Sequence, residues 1–265
     1  MSDVFDKGAA ATPAPRLRPV TFSDVAAALR AGLADFRRAP AFGLVFGGIY
    51  AAGGIALLSA VFALGRGYLA YPLMAGSVLI GPFVASALYE VSRELEAGET
   101  PSWRRVLHTM FEQRKREMSW MAFVCIFAFI VWMYQVRLLL ALFLGFASFA
   151  TLHDFLVVLT TTGDGLAFLA VGHVVGAALA LAVFSLTVVS FPLLMERDLD
   201  VVTAMITSVQ AVLLSPGPMI AWGAVVVATL VVASLPAFLG LVVALPVLGH
   251  ATWHLYRSTV LPPQA

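Results

Sequence analysis

Charged residues are scarce in this sequence: Asp, Glu, Lys and Arg make up 12% of 265 residues, against 61% apolar ones. A soluble globular chain carries about 25% charged and about 45–50% apolar residues, so an ordinary water-facing surface is excluded. Cysteine is nearly absent too. Cys125 stands alone, so no intrachain disulfide is possible, and within an apolar run its thiol serves as a small hydrophobe. The net charge of +1 leaves no bulk electrostatic case for nucleic acid. HExxH, Walker, nucleophile-elbow and dinucleotide motifs are all missing. So are mid-depth Asp, Glu, Lys and Arg in the apolar runs, where pumps and ion-coupled transporters place such groups. These absences argue against an enzyme and against ion-coupled transport; no catalytic residue and no cofactor is predicted.

What is present is apolar length. Mean hydropathy is +0.94, and about 20 apolar residues suffice to cross the hydrocarbon core. The runs predict an all-α, polytopic membrane protein with six transmembrane helices at about 40–64, 69–90, 119–137, 166–191, 218–234 and 236–256. The last two come from one long stretch that Ser234-Leu235-Pro236 divides. Fourteen of the sixteen Lys and Arg fall before residue 39, between 93 and 116, or at 197 and 257; Arg66 and Arg137 are the exceptions. The positive-inside rule then places both termini and the basic connections in the cytoplasm. Residues 1–19 are polar and Pro-rich, lack the apolar core of a signal peptide and read as a disordered cytoplasmic tail. Residues 20–260 form one transmembrane domain. The outward side is nearly bare, with one substantial connection that holds a short helix around 152–159, and Asp164 is placed to cap the fourth span.

The spans carry a recurring pattern. Asp24 precedes Pro40 by the same interval as Asp200 precedes Pro216, and Val25, Leu29, Leu33 and Phe36 match Val201, Met205, Val209 and Val212 in register. Each set marks one helix face. Gly47 and Gly223 also correspond, and a third copy starts at Ser102. The repeated unit is an interfacial amphipathic helix followed by a membrane hairpin, with the interfacial helices at about 22–38, 102–117 and 199–214. Pro82, Pro192 and Pro246 sit toward the cytoplasmic ends of the even-numbered spans, either as packing kinks or as hinges. Gly43-x-x-x-Gly47 and Gly172-x-x-x-Gly176 fit close helix packing, within the bundle or between two copies.

Three groups of polar residues are candidates. His250 and His254 lie one turn apart, with Trp253 and Arg257 on the same stripe. Two histidines can begin a metal site, but Zn²⁺ needs about three or four ligands; a membrane-interface belt of Trp253 and Arg257 requires no ligand at all. Glu196, Arg197, Asp198 and Asp200 crowd the exit of the fourth span, as an acid–base cluster or as local ion pairs with Asp200 capping the next helix. His173 is the one histidine plainly within a span, as a haem ligand or as an interhelical hydrogen-bond donor. Arg104, Arg105, Arg114, Lys115 and Arg116 are expected to contact lipid headgroups, anionic ones at the cytoplasmic face.

The stretches EVSRELEAGETPSW (90–103), VSFPLLMERDLDVVTAMITSV (189–209) and GHATWHLYR (249–257) resemble a bacterial integral membrane family catalogued as domain of unknown function 2189. The similarity covers residues 19–260. It implies six helices and an inner-membrane location, and it transfers no catalytic residue because the family has no established function. The combined expectation is a non-enzymatic inner-membrane scaffold, assembly factor or membrane-homeostasis component, with a membrane-protein partner or a second copy of the chain as possible company. A small-molecule transporter is the first alternative. A metal- or haem-associated protein near respiratory complexes is the second.

Overall fold

The computed structural model describes residues 15–66, 70, 73, 81–113, 117–145 and 152–262. Their regular structure is helical apart from one isolated bridge: α1 (Phe22–Arg38), α2 (Pro40–Ala63), α3 (Gly81–Glu96), α4 (Trp103–Gln113), α5 (Met118–Leu144), α6 (Leu152–Thr161), α7 (Gly163–Thr187), α8 (Ser190–Glu196), α9 (Val201–Leu214), α10 (Pro216–Ser234) and α11 (Leu241–Thr259). The expected tail lies outside the described residues up to position 14, as does most of the second span before Gly81.

Among the described residues four segments are long and apolar enough to cross a membrane: Pro40–Ala63, Met118–Leu144, Gly163–Glu196 and Pro216–Ser234. The 24 residues of α2 rise about 36 Å, more than the hydrocarbon thickness. Side chains such as Trp120, Phe123, Phe127 and Tyr134 stand exposed along α5, an arrangement that water would punish and lipid accepts. The fifth expected crossing coincides with α10; the sixth, expected at about 236–256, is not among these four, and α11 over that stretch buries its polar half in protein. A turn through Ala237 and Phe238, both at positive φ, joins these two helices.

Local chemistry explains the boundaries. Thr21 caps α1 reciprocally with Asp24: the Asp24 N–H donates to Thr21 Oγ1, and Asp24 Oδ2 accepts from the Thr21 N–H at 2.8 Å. Asp200 caps α9, accepting from the Thr203 N–H at 2.8 Å and the Thr203 hydroxyl at 2.6 Å. The two aspartates matched in sequence thus play different parts, one in the first turn and one ahead of it. What does coincide is the joint that follows. Ala39 (φ −132°, ψ 56°) and Ser215 (φ −141°, ψ 62°) share one non-helical conformation, each ahead of a proline that opens the next helix. Asp164 does not cap the fourth span. Thr162 does, through the Gly165 N–H at 3.0 Å, because its extended backbone aims the hydroxyl at that donor while Asp164 already lies within the helix.

Two prolines shape their helices. Pro192 has no N–H for the carbonyl of Val188, and the helix breaks there between α7 and α8, where the freed Val189 N–H donates to Ser208 Oγ at 3.1 Å. Pro246 likewise releases the carbonyl of Val242 inside α11. Gly47 of α2 packs on that carbonyl so closely that a Cβ there would lie 2.5 Å from it. Gly32 of α1 seats against Ala251, where a Cβ would meet the backbone nitrogen at 2.5 Å. The Gly43/Gly47 pair therefore serves packing within the bundle, against α11. Gly176 does the same beside Trp132 of α5.

The ends of the chain meet. Leu17 and Val260 form an antiparallel bridge, with the Arg18 N–H donating to the Thr259 carbonyl at 2.9 Å and the Leu261 N–H to the Arg16 carbonyl at 2.9 Å. Val20 also donates its N–H to Ser215 Oγ at 2.9 Å, which ties the first helix to the α9–α10 joint.

Substituting Ala for Gly32 or Gly47 forces backbone apart and is expected to cost about 1–3 kcal/mol. Gly48→Ala, whose Cβ would meet nothing within 4 Å, is expected to be neutral or better. Thermal unfolding of the three detergent-solubilised variants checks this, and equal melting temperatures would refute the seating of α11.

Candidate functional site

Every polar cluster of consequence lies at the end of the bundle where α1, α3, α8 and α11 meet. The buried face of α1 runs through Val25, Ala28, Gly32 and Asp35. The carboxylate of Asp35 is thereby carried into the protein, where it must find donors. His254 Nε2 lies 2.7 Å from Asp35 Oδ2. Ser92 of α3 also donates to Asp35, and Ser92 Oγ shares a 2.8 Å hydrogen bond with His250 Nδ1. The Ser92 hydroxyl thus lies between the Asp35 carboxylate and the His250 ring. His250 Nε2 is buried without a hydrogen-bond partner among the described residues. Burial pushes the Asp35 carboxyl up, but the hydrogen bonds from His254 and Ser92 and the nearby imidazoles outweigh it and hold the group below its ordinary range.

One turn on, Glu96 of α3 accepts from Trp253 Nε1 at 3.2 Å and from Arg257 Nε at 3.3 Å. Arg257 reaches the other way to Glu196 of α8 at 2.7 Å, and Glu196 also accepts the Tyr256 hydroxyl. Arg197 donates to the carbonyl of Leu261 at 2.5 Å, fastening the chain end beside the α1 entry strand. Arg257 is thus the bridge between two helices that the sequence separates by a hundred residues.

A third cluster joins α3 to α4. Glu94 accepts from the Ser102 N–H at 3.0 Å and pairs with Arg105 Nε at 2.8 Å, while Arg105 also holds Glu99. Glu90 pairs with Arg93 at 2.7 Å. Burial holds Glu94 above the ordinary carboxylate range, opposed by Ser102 and Arg105. These residues line an open cleft of about 290 Å³.

The structure sorts the sequence candidates as follows. His250, His254, Trp253, Arg257, Glu196 and Arg197 come together, joined by Asp35, Ser92, Glu96 and Tyr256, which sequence reasoning missed. Asp35 carried a usable signal: it is a charge on the buried helical register of α1, three residues beyond Gly32. Trp253 is not a headgroup anchor. It is fully buried between Tyr89 and Tyr256, because Glu96 gives its indole N–H an acceptor inside the protein. Asp200 stands apart as the α9 cap. Asp198 has a partner of its own. His173 is exposed on α7 and bonds the Leu169 carbonyl of its own helix at 2.7 Å, so the expected interhelical bond is not formed. Arg105 is committed to Glu94 and Glu99, Arg104 is exposed, and Arg114, Lys115 and Arg116 lie outside the described residues. Among the described residues no three His, Cys, Asp or Glu side chains converge in a way that would hold a metal ion.

Residues 70–196 match the model of the family described as predicted integral membrane protein (DUF2189). The resemblance read from the sequence is thereby shown over that segment, which contains the whole of the 90–103 motif, part of the 189–209 motif and none of the 249–257 motif. With four long apolar segments among its described residues the chain is a multi-pass integral membrane protein. No curated protein and no solved structure matches it.

Asp35→Asn tests the central cluster. A carboxyl held below its ordinary value of about 4 contributes stability that is complete above that value and is lost as pH falls through the lowered one. Wild type is therefore expected to lose melting temperature below about pH 4 more steeply than the variant, which starts about 2 kcal/mol less stable at neutral pH. Parallel pH profiles would contradict the assignment.

Proposed function

We propose that this chain is a non-enzymatic protein of the bacterial inner membrane, acting as a scaffold, an assembly factor or a component of membrane homeostasis. The observation that carries this reading is the mutual pairing of its acids and bases. Asp35, Glu96 and Glu196 are each bound to groups on other helices, so chemistry-capable side chains are spent as crosslinks between α1, α3, α8 and α11. A framework of this kind holds a shape in the bilayer. Its residues 90–103 run from the end of α3 through a short connection into α4, tied by Glu94 to Ser102 and Arg105.

The same reading holds that the chain crosses six times with both ends in the cytoplasm. It is supported by the Leu17–Val260 bridge, since termini on one side require an even number of crossings. The basic residues support the direction. Repetition of an interfacial helix and a membrane hairpin is supported by the twin joints at Ala39 and Ser215. It is supported also by matched burial of Ala28 with Ala204, Gly32 with Ser208 and Phe46 with Trp222.

Cys125 is the only cysteine, so Cys125→Ser provides a clean background for labelling. In intact cells a membrane-impermeant maleimide is expected to reach Gly163→Cys, and to reach Arg30→Cys or Arg104→Cys only after permeabilisation. The reverse pattern removes the orientation. Reproducible turnover of a defined substrate by purified protein, abolished by Asp35→Asn, removes the non-enzymatic reading.

A further inference from the structure

The ion pairs leave an uneven remainder. Arg93, Arg105, Arg197 and Arg257 are each paired with a glutamate, and Arg18 with Asp24. Among the described residues Arg16, Arg30, Arg37, Arg38, Arg66, Arg104 and Arg137 are exposed and have no carboxylate partner. Arg37, Arg38 and Arg104 belong to elements that pack together. Arg37 and Arg38 end α1 immediately before the Ala39 joint, and Arg104 opens α4.

The two elements are packed together at that point. Ala39 and Phe42 share a buried cluster with Val106 of α4, and the rings of Phe42 and Trp103 stack with centroids 4.1 Å apart. Beside the stacked rings, Val45 of α2 and Trp103 and Leu107 of α4 stand exposed. The joint therefore combines unpaired arginines with exposed apolar side chains and a half-exposed indole.

We infer that the α1–α2 joint and the start of α4 form a binding site for an anionic phospholipid. Its phosphate is held by Arg37, Arg38 and Arg104, and its acyl chains lie over Val45 and Leu107. The charge is complementary to phosphate, for which guanidinium is the matched donor. The apolar side chains decide the source. An acidic protein segment would satisfy the arginines, but Val45 belongs to a helix long and apolar enough to cross the membrane, where lipid covers it. The indole of Trp103 fits the headgroup boundary, where amphipathic rings gather. The site uses the membrane segments of the chain and not its proposed orientation or role. It can therefore fail while the labelling pattern above holds, and the converse is equally true.

The test is native mass spectrometry of the full chain in mild detergent, offered equal phosphatidylglycerol and phosphatidylcholine. Wild type is expected to retain phosphatidylglycerol on the order of tenfold more. An Arg37→Gln, Arg38→Gln, Arg104→Gln variant is expected to lose that preference by at least about fivefold, as each arginine near an anionic headgroup contributes a like share. Arg30→Gln, with its exposed charge two turns before the joint, is expected to keep it. Melting temperature in phosphatidylcholine alone verifies that the variants fold. A wild-type preference in the triple variant, an equal loss in Arg30→Gln, or no preference in wild type overturns the site. Displacement of the lipid by inorganic phosphate at equal concentration assigns it to a free anion and overturns the lipid.

Discussion

The structure depends on how closely α11 is seated. Helices in a bilayer gain little from hydrophobic burial against one another, since lipid tails are as apolar as leucine, so close van der Waals contact and polar bonds must hold them together. Gly32 and Gly47 bring α1 and α2 against the backbone of α11, and the bend at Pro246 exposes the Val242 carbonyl that Gly47 covers. Once α11 is fixed in rotation and depth, His250, Trp253, His254, Tyr256 and Arg257 all fall on positions from which α1, α3 and α8 can be reached. The polar network is a consequence of that packing as much as a cause of it.

Its energetics explain why so many members are paired twice. Removing a carboxylate from water is expensive, and a single ion pair seldom repays the desolvation. Asp35 meets the cost with a histidine and a serine, Glu196 with an arginine and a tyrosine, and Glu96 with an indole and the same arginine. Each acid joins helices distant in sequence, so the net gain is less in free energy than in register: a helix rotated by one residue leaves several buried groups without partners at once.

Much of this was legible in the sequence, for identifiable reasons. The α1 span, the Asp200 cap and the short helix before α7 follow from local capping and periodicity, and they lie where the apolar face over 22–38, Asp200 and the 152–159 run put them. The interest of the 249–257 stretch was visible as well, because two histidines and an arginine at the end of an apolar run are unusual. Its meaning was not. Trp253 and Arg257 look alike as a headgroup belt or as bridges to glutamates, since helical spacing reports which residues share a face and not what stands opposite. Ser92 and Glu96 lie about 160 residues from their partners, a pairing that only the tertiary path of α3 beside α11 supplies. His173 reverses the error. A deep histidine suggests a neighbour, but the i−4 carbonyl of its own helix is always within reach and satisfies the ring first.

The division of the arginines ties packing to topology. Those that end up bound to glutamates are neutralised locally and contribute little field beyond the protein. Those at the α1–α2 joint and the start of α4 keep their charge outside, beside exposed apolar side chains. A protein that internalises its acids in this way leaves an excess of positive charge on one rim even though the whole chain is nearly neutral. Composition alone conceals that excess, because the acids that balance it in a count do not balance it in space. The rim charge is therefore set by the same interhelical pairs that hold α11, so loosening the bundle would also release acidic groups toward the face that its arginines now mark.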